Sequence, residues 1–248
     1  MKSVVIGGRT LGNAPCMVAT ALADSVDGML QQVQRAVSLD ADLVELRVDR
    51  LPSAEDVGAV IQRVACPHIV ACRSPQFGGF FPGTEEERIF RLEAAVHAGA
   101  TAVDVEFFAP SDLRSRLIST ARKQGVPVLI GYEDMQRTPD RAELIAGLQE
   151  IKALSPDLMK LAVRAHSHED LLTLLQVVLE ARSFLDVPFA AIALGAPGAP
   201  SRPLACILGA SFTYCAMEQG SVPGQLTLQE TRDSIALLAE QRWTCSSN

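Results

Sequence analysis

The stretch LIGYEDMQRTP, residues 129–139, passes from an apolar run into a polar turn and sets the pattern for the whole chain. Its apolar half predicts a buried strand, and a lone acid, Glu133, stands where that strand should end. Thr138 followed by Pro139 is typical of a helix start, with threonine as the N-cap and proline in the first turn. The segment therefore predicts a strand, a turn and a helix in succession.

The same unit recurs along the chain. Eight apolar runs are MVATAL, LVELRVD, HIVACR, AVDVEF, PVLIGY, LMKLAV, FAAIAL and SFTYCAM. Such runs are typical of parallel strands covered on both faces, and the amphipathic segments between them predict helices. Eight units favour an α/β fold of the closed (β/α)8 type, a TIM barrel, over an open doubly wound sheet. We expect one domain over residues 1–248, with SVVIGG near the N-terminus forming a strand or hairpin that closes the barrel bottom.

Composition excludes several classes of protein. The formal net charge of -7 argues against nucleic acid as a partner, although a pocket with a few arginines could still bind a small anion. The six cysteines lack metal-type spacing and several lie in apolar runs, which favours a reducing cytoplasm. We expect no signal peptide and no membrane span. The segment GAPGAPSRP, residues 195–203, matches neither of the two common glycine-rich phosphate-binding motifs. Its composition predicts a flexible loop or flap that ends at Arg202.

Charged residues interrupt the predicted strands, where burial makes a charge costly. They are Glu45, Arg47, Asp49, Arg73, Asp104, Glu106, Glu133 and Lys160. Active sites of such barrels lie at the carboxyl ends of the strands, so we expect these side chains to meet there.

Lys160 is the most informative of them, because it alone of four lysines lies in an apolar strand pattern. Burial and neighbouring cations depress the pKa of an ammonium group, and a neutral amine can form a Schiff base with a ketone. The alternative is a structural ion pair with Asp104 or Glu106. The arginines Arg47, Arg73 and Arg202 either bridge acids or bind substrate; together they indicate a polyhydroxylated anionic substrate.

Several ordered motifs resemble type I 3-dehydroquinate dehydratases over nearly the whole chain. They are ELRVD at 45–49, ACRS with GG at 78–79, DVEFF at 104–108, YEDMQRTP at 132–139, MKLAV at 159–163, SRPLACILGAS at 201–211, and SVPGQ at 221–225. The resemblance implies a cytoplasmic, homodimeric hydro-lyase of the shikimate pathway for aromatic amino acids, which converts 3-dehydroquinate to 3-dehydroshikimate without a metal or cofactor.

The resemblance also implies residue roles. Lys160 would form the imine with the substrate ketone, and Arg202 would bind the carboxylate. The ring hydroxyls would be held by Glu45, Arg47 and Arg73. The polar lining would be completed by Thr20, Ser221 and Gln225.

Two positions depart from the family pattern. Glu133 stands where the pattern has a histidine, and Phe77 stands where an acid is expected before the paired glycines. The ordinary pKa of a carboxylic acid is about two units below that of imidazole, a handicap of roughly 3 kcal/mol for a general base at neutral pH. His166, six residues after Lys160, is an alternative base.

These departures leave three functions open. The first is dehydration of 3-dehydroquinate or a close analogue with Glu133 as an atypical base. The second is a noncatalytic sensor of such ligands. The third is another Schiff-base lyase or aldolase that acts on a related hydroxylated acid.

Overall fold

A computed structural model describes residues 2–12, 14–218 and 224–240. Within them, an eight-stranded parallel sheet in the order β10-β3-β4-β5-β6-β7-β8-β9 forms a (β/α)8 barrel, as the apolar runs predict. The barrel strands are β3 Cys16–Leu22, β4 Leu43–Arg47, β5 His68–Ala71, β6 Val103–Glu106, β7 Val128–Asp134, β8 Leu158–Arg164, β9 Phe189–Leu194 and β10 Phe212–Cys215. Ser211, just before β10, donates its N–H to the carbonyl of Phe189 in β9 at 2.7 Å, which joins the two ends of the sheet.

Helices follow the strands and cover the outside of the barrel. They are α1 Val26–Ser38, α2 Ala54–Ile61, α3 Glu85–His97, α4 Ser111–Lys123, α5 Arg141–Ala153, α6 His168–Ala181, α7 Ser201–Ile207 and α8 Leu228–Glu240. Short 3-10 helices occur at Val48–Arg50, Pro75–Phe77 and Ala196–Gly198. None of the helices in the described ranges is long and apolar enough to cross a membrane.

An N-terminal hairpin closes the bottom of the barrel, as SVVIGG indicated. Its strands, β1 Val4–Ile6 and β2 Arg9–Leu11, pair antiparallel. Ile6 and Leu11 are fully buried among apolar side chains from the beginnings of the barrel strands. The lower half of the barrel interior is therefore apolar, and the charged side chains lie in the upper half, at the carboxyl ends of the strands.

The start of α5 differs from the sequence prediction. Asp140, not Thr138, is the N-cap, and its carboxylate accepts a hydrogen bond from the N–H of Glu143 at 2.9 Å. The Thr138 hydroxyl instead donates to the carbonyl of Arg164 at 2.8 Å and ties the loop to β8. Both residue types cap helices well, so the choice depends on the tertiary partner of the threonine.

The segment after β9 also differs from the predicted flap. Residues 196–198 form a 3-10 helix, and α7 begins at Ser201, so Arg202 lies in the first turn of a helix rather than at the end of a loop. The Ser201 hydroxyl oxygen accepts a hydrogen bond from the N–H of Ala193 at 2.9 Å, which anchors this turn to β9.

Candidate active site

A cavity of about 680 Å³ opens at the carboxyl ends of the strands. Its lining contains, of the residues that the sequence singled out, Thr20, Glu45, Arg47, Arg73, Phe77, Glu133, Lys160, Arg202 and Gln225. Ser221 lies outside the described residues. Strand alternation explains why these side chains converge, because every second residue of a barrel strand points inward.

Lys160 lies in the floor of the cavity and is held by two carboxylates. Its Nζ atom is 2.7 Å from Asp104 Oδ2 and 2.7 Å from Glu133 Oε1. The ring of Tyr214 lies on another side, with its centroid 5.2 Å from Nζ. Gly131 faces Lys160 from the adjacent strand and leaves room for the lysine chain. The sequence left open whether Lys160 forms a structural ion pair or faces a substrate. In the structure Lys160 both pairs with Asp104 and lines the cavity.

The charge state of Lys160 differs from the sequence expectation. Burial and the nearby charge of Arg73 lower the pKa of the lysine, as expected. The carboxylates of Asp104, Glu133 and Glu45 outweigh both and raise the pKa above its ordinary value. In the unliganded site Lys160 is therefore an ammonium ion, and it must pass a proton to a neighbour before it can act as a nucleophile.

Arg73 is the centre of a buried ionic cluster. Its Nη1 atom is 2.5 Å from Glu133 Oε2 and 3.2 Å from Glu106 Oε1, while Nη2 pairs with Asp104 and lies 3.8 Å from Glu45 Oε1. Each oxygen of Glu133 therefore has one cationic partner, Lys160 or Arg73. The arrangement fixes the orientation of Glu133 toward the lysine.

Glu106 and Arg88 support this cluster from the side of α3. Arg88 is fully buried, and its Nη1 atom is 2.5 Å from Glu106 Oε2 and donates to the carbonyl of Cys72 at 2.9 Å. Burial raises the pKa of Glu106 to about 6 although both arginines oppose the shift. Sequence analysis missed Arg88; its signal is an arginine four residues before Leu92, on the apolar face of α3.

Arg202 differs from the other buried arginines because its hydrogen-bond partners among the described residues are carbonyl oxygens. Its Nε donates to the carbonyl of Tyr214 at 3.0 Å and its Nη1 to that of Ala193 at 3.4 Å. No carboxylate among the residues that the structure describes pairs with it, and burial lowers its pKa to about 10. A buried cation without an anionic partner in the wall of a cavity is suited to bind an anionic ligand.

Polar contacts hold the remaining side chains of the wall. Arg47 donates to both oxygens of Asp49, from Nε at 2.8 Å and from Nη2 at 3.0 Å. The hydroxyl of Thr20 donates to Glu45 Oε2 at 3.0 Å. Asp49 is buried and follows β4, so it turns the guanidinium of Arg47 toward the cavity rim.

The two departures from the family pattern have different surroundings. Glu133 is buried in the ionic cluster, whereas Phe77 lies at the cavity wall and stacks on Phe108, with ring centroids 6.4 Å apart. His166 is exposed, lies outside the set of lining residues, and pairs through Nε2 with the carbonyl of Gln136 at 2.8 Å. The geometry therefore favours Glu133 over His166 as the group beside the lysine.

Tyr214 is a further residue of the site that sequence analysis missed. It lies on β10 two residues after Phe212, and both rings point into the barrel. Its signal is the alternation in SFTYCAM, where a phenol occupies an inward position at the level of Lys160.

Comparison with known proteins gives a consistent result. The family model for type I 3-dehydroquinase matches residues 17–242. A 3-dehydroquinate dehydratase of Neisseria gonorrhoeae is 30% identical over 248 residues, with 96% of each chain covered. The one of Enterococcus faecalis is 28% identical and covers 98% of this chain and 100% of its own.

A solved structure agrees with these matches. The crystal structure of 3-dehydroquinate dehydratase from Geobacillus kaustophilus superposes with a TM-score of 0.91 at 26% identity, covering 97% of this chain and 98% of the other. The barrel, the buried lysine at the carboxyl ends of its strands and the sequence matches all lead to the same assignment. This chain belongs to the type I 3-dehydroquinase family.

Proposed function

We propose that this protein dehydrates 3-dehydroquinate to 3-dehydroshikimate through a Schiff base on Lys160, with Glu133 as the general acid and base. The observation that carries the proposal is the position of the Lys160 amine, 2.7 Å from Glu133 Oε1 in the floor of a cavity. Its relatives in Neisseria and Enterococcus bear the name of this activity.

The substrate is a hydroxylated cyclic keto acid, and the wall offers a partner for each of its groups. Arg202 binds the carboxylate, because its guanidinium has only carbonyl partners among the described residues and gains a charge-assisted pair with the ligand. Glu45, Arg47 and Arg73 hold the ring hydroxyls. Thr20, Gln225 and, from the resemblance alone, Ser221 complete the polar lining.

Imine formation begins with proton transfer from the Lys160 ammonium to Glu133. The neutral amine then adds to the ketone carbon and gives a carbinolamine. Glu133 returns its proton to the carbinolamine hydroxyl, which leaves as water, and the nitrogen becomes an iminium cation. Glu133 is again a carboxylate, so a single group serves both steps.

Elimination uses the iminium as an electron sink. Glu133 removes a proton from the carbon next to the iminium carbon, and the resulting electron pair forms the new double bond as hydroxide departs from the following carbon. The proton on Glu133 combines with that hydroxide to give water. Hydrolysis of the conjugated iminium then releases the enone and the Lys160 amine.

The test is reductive trapping. Incubation with 3-dehydroquinate and borohydride, followed by peptide mass mapping, should modify Lys160 and leave Lys152, an exposed lysine near the end of α5, unmodified as an internal control. Without borohydride, ultraviolet absorbance should report the enone. Absence of both signals would overturn the proposal. An adduct without enone would instead support a ligand sensor or another Schiff-base lyase.

The cytoplasmic location and the homodimer implied by the family are also proposals. Light scattering after gel filtration tests the second, because a homodimer of this 26.6 kDa chain must elute with twice that mass. A monomeric mass at micromolar concentration would contradict it.

A further inference from the structure

The hydroxyl group of Tyr214 is buried and has no hydrogen-bond partner in the part of the chain that the structure describes. The residue is 6% exposed, and its Oη atom has no hydrogen-bond partner among the described atoms. Leaving a buried donor unpaired costs on the order of 1–3 kcal/mol, a cost that a phenylalanine in the same place would avoid. The hydroxyl group of Tyr214 therefore calls for an explanation beyond packing.

An unpaired acceptor lies in the same part of the barrel. Asp104 is buried, and its Oδ1 atom has no partner within residues 2–12, 14–218 and 224–240, while Oδ2 binds Lys160 and Arg73. In the strand order, β10 and β6 are four positions apart in either direction, so Tyr214 and Asp104 face each other across the barrel. Burial first, then the charges of Glu45 and Asp104, raise the pKa of Tyr214 well above its ordinary value, so the phenol stays protonated as a donor.

Schiff-base chemistry reduces the donors that Lys160 can offer. An ammonium group has three N–H donors, and in the resting site two of them serve Asp104 and Glu133. An iminium nitrogen has a single N–H. When the imine forms, at least one of the two carboxylates loses its lysine hydrogen bond, and a buried carboxylate with fewer donors is costly.

We propose that the Tyr214 hydroxyl donates a hydrogen bond to Asp104 when Lys160 becomes an iminium, and so lowers the free energy of the covalent state. This inference rests on the proposed function. Tyr214 is a positioning residue, because it acts on Lys160 through Asp104 and does not exchange a proton with the substrate.

The choice of carboxylate follows from the contacts. Arg73 contacts one oxygen of each carboxylate, Glu133 Oε2 and Asp104 Oδ2, so neither loses every partner when the lysine leaves. In the resting site both oxygens of Glu133 have a cationic partner, whereas Asp104 Oδ1 has none among the described residues. Asp104 therefore has an acceptor atom available for the phenol.

The experiment compares Tyr214→Phe with Tyr132→Phe. The chain has two tyrosines, and Tyr132 is the matched control because it is also buried in a barrel strand but packs outward, against Gly147 of α5. For Tyr214→Phe we expect kcat and the rate of borohydride-trappable adduct formation to fall about 10- to 100-fold, the range for one hydrogen bond to a charged group. KM and the melting temperature should stay near those of the control.

Equal kcat in the two variants would overturn the inference. A conservative replacement separates the hydroxyl from ring packing: 3-fluorotyrosine incorporated throughout the Tyr132→Phe protein labels position 214 alone and keeps the hydroxyl. This protein should retain kcat within about threefold, and a loss as large as that of Tyr214→Phe would also overturn the inference. If Tyr132→Phe and the unsubstituted protein both fail to form an adduct with 3-dehydroquinate, the proposed function fails instead.

Discussion

Gly131 on β7 lies directly opposite Lys160 on β8, and a Cβ atom on this glycine would stand 3.2 Å from Lys160 Cε and 3.1 Å from Glu133 Oε1. The glycine therefore provides the space in which the amine and the carboxylate meet. Its backbone is extended and needs no glycine for conformational reasons, so the constraint is purely spatial.

Gly131→Ala should lower kcat by about 10- to 100-fold while the protein still folds, because displacement of reacting groups by a fraction of an ångström is costly. The measurement is kcat on 3-dehydroquinate together with the melting temperature. Gly58→Ala on α2 is the control; the nearest atom to its new Cβ is 4.0 Å away, and alanine favours a helix. An unchanged kcat in Gly131→Ala would show that Lys160 and Glu133 can shift to make room for the methyl group without loss of activity.

Glu133→Gln should reduce kcat by about 10²- to 10⁴-fold, the usual contribution of a general acid or base. The amide keeps the size of the side chain but cannot accept the proton of Lys160. Substrate should still raise the melting temperature, because Arg202 is unchanged. Glu143→Gln, which alters an exposed acid paired with Arg137 on the outer face, is the control. An unchanged rate in Glu133→Gln would remove Glu133 from the mechanism.

Glu133→His introduces the residue that the sequence resemblance implies at this position. We expect it to retain turnover, because imidazole is the stronger base at neutral pH. Both variants lack the carboxylate, but only histidine can accept a proton. The ratio of their kcat values therefore measures the contribution of proton transfer at this position. A histidine variant as slow as the glutamine variant would indicate that the Arg73 contact of Glu133 matters more than its basicity.

Arg202→Met should raise KM by about 10- to 100-fold, since a hydrogen bond to a charged group contributes about 1.5–3 kcal/mol. The free energy of unfolding should not fall, because the substitution removes a desolvated cation that has no carboxylate partner among the described residues. Urea denaturation and initial rates measure the two effects. Arg182→Met is the control, since Arg182 also donates to a carbonyl, that of Leu208, but is exposed and is not among the residues that line the cavity.

Glu106 should make stability depend on pH below neutrality. Its pKa is about 6 in the folded protein against an ordinary value of 4.5, so the folded state holds the proton more tightly than the unfolded chain. The resulting stabilisation is complete below pH 4.5 and is lost as the pH rises through 6. It amounts to about 2 kcal/mol, from roughly 1.4 kcal/mol per pKa unit.

The measurement is the difference in unfolding free energy between the unsubstituted protein and Glu106→Gln at several pH values. This difference should fall by about 1.5 kcal/mol between pH 4.5 and pH 6.5, because the variant lacks the titrating group. Other carboxylates titrate in both proteins and largely cancel. A difference that stays constant over this range would contradict the raised pKa.

Much of the site could be predicted from alternation within single strands. Glu45 and Arg47 are two residues apart on β4, so they share a face wherever the strand lies, and Lys160 was recognisable as a charge in an apolar run. Arg88 and Tyr214 were not predicted. One looks like an ordinary helix arginine and the other like an ordinary strand aromatic until their neighbours are known.

The eight parallel strands, the barrel and the position of the charges at one end could be predicted from the amino-acid sequence, because they follow from apolar periodicity and from the polarity of parallel strands. The sequence did not determine which charges pair. Three-dimensional contacts alone reveal that Glu133 lies between Lys160 and Arg73 and that Asp104, Glu133 and Glu45 raise rather than lower the pKa of the lysine. They also reveal that Tyr214 and Asp104 lie on strands at opposite sides of the barrel, both near Lys160. Coulombic energies depend on distances of a few ångströms between distant segments, and those distances exist only after the strands are in register.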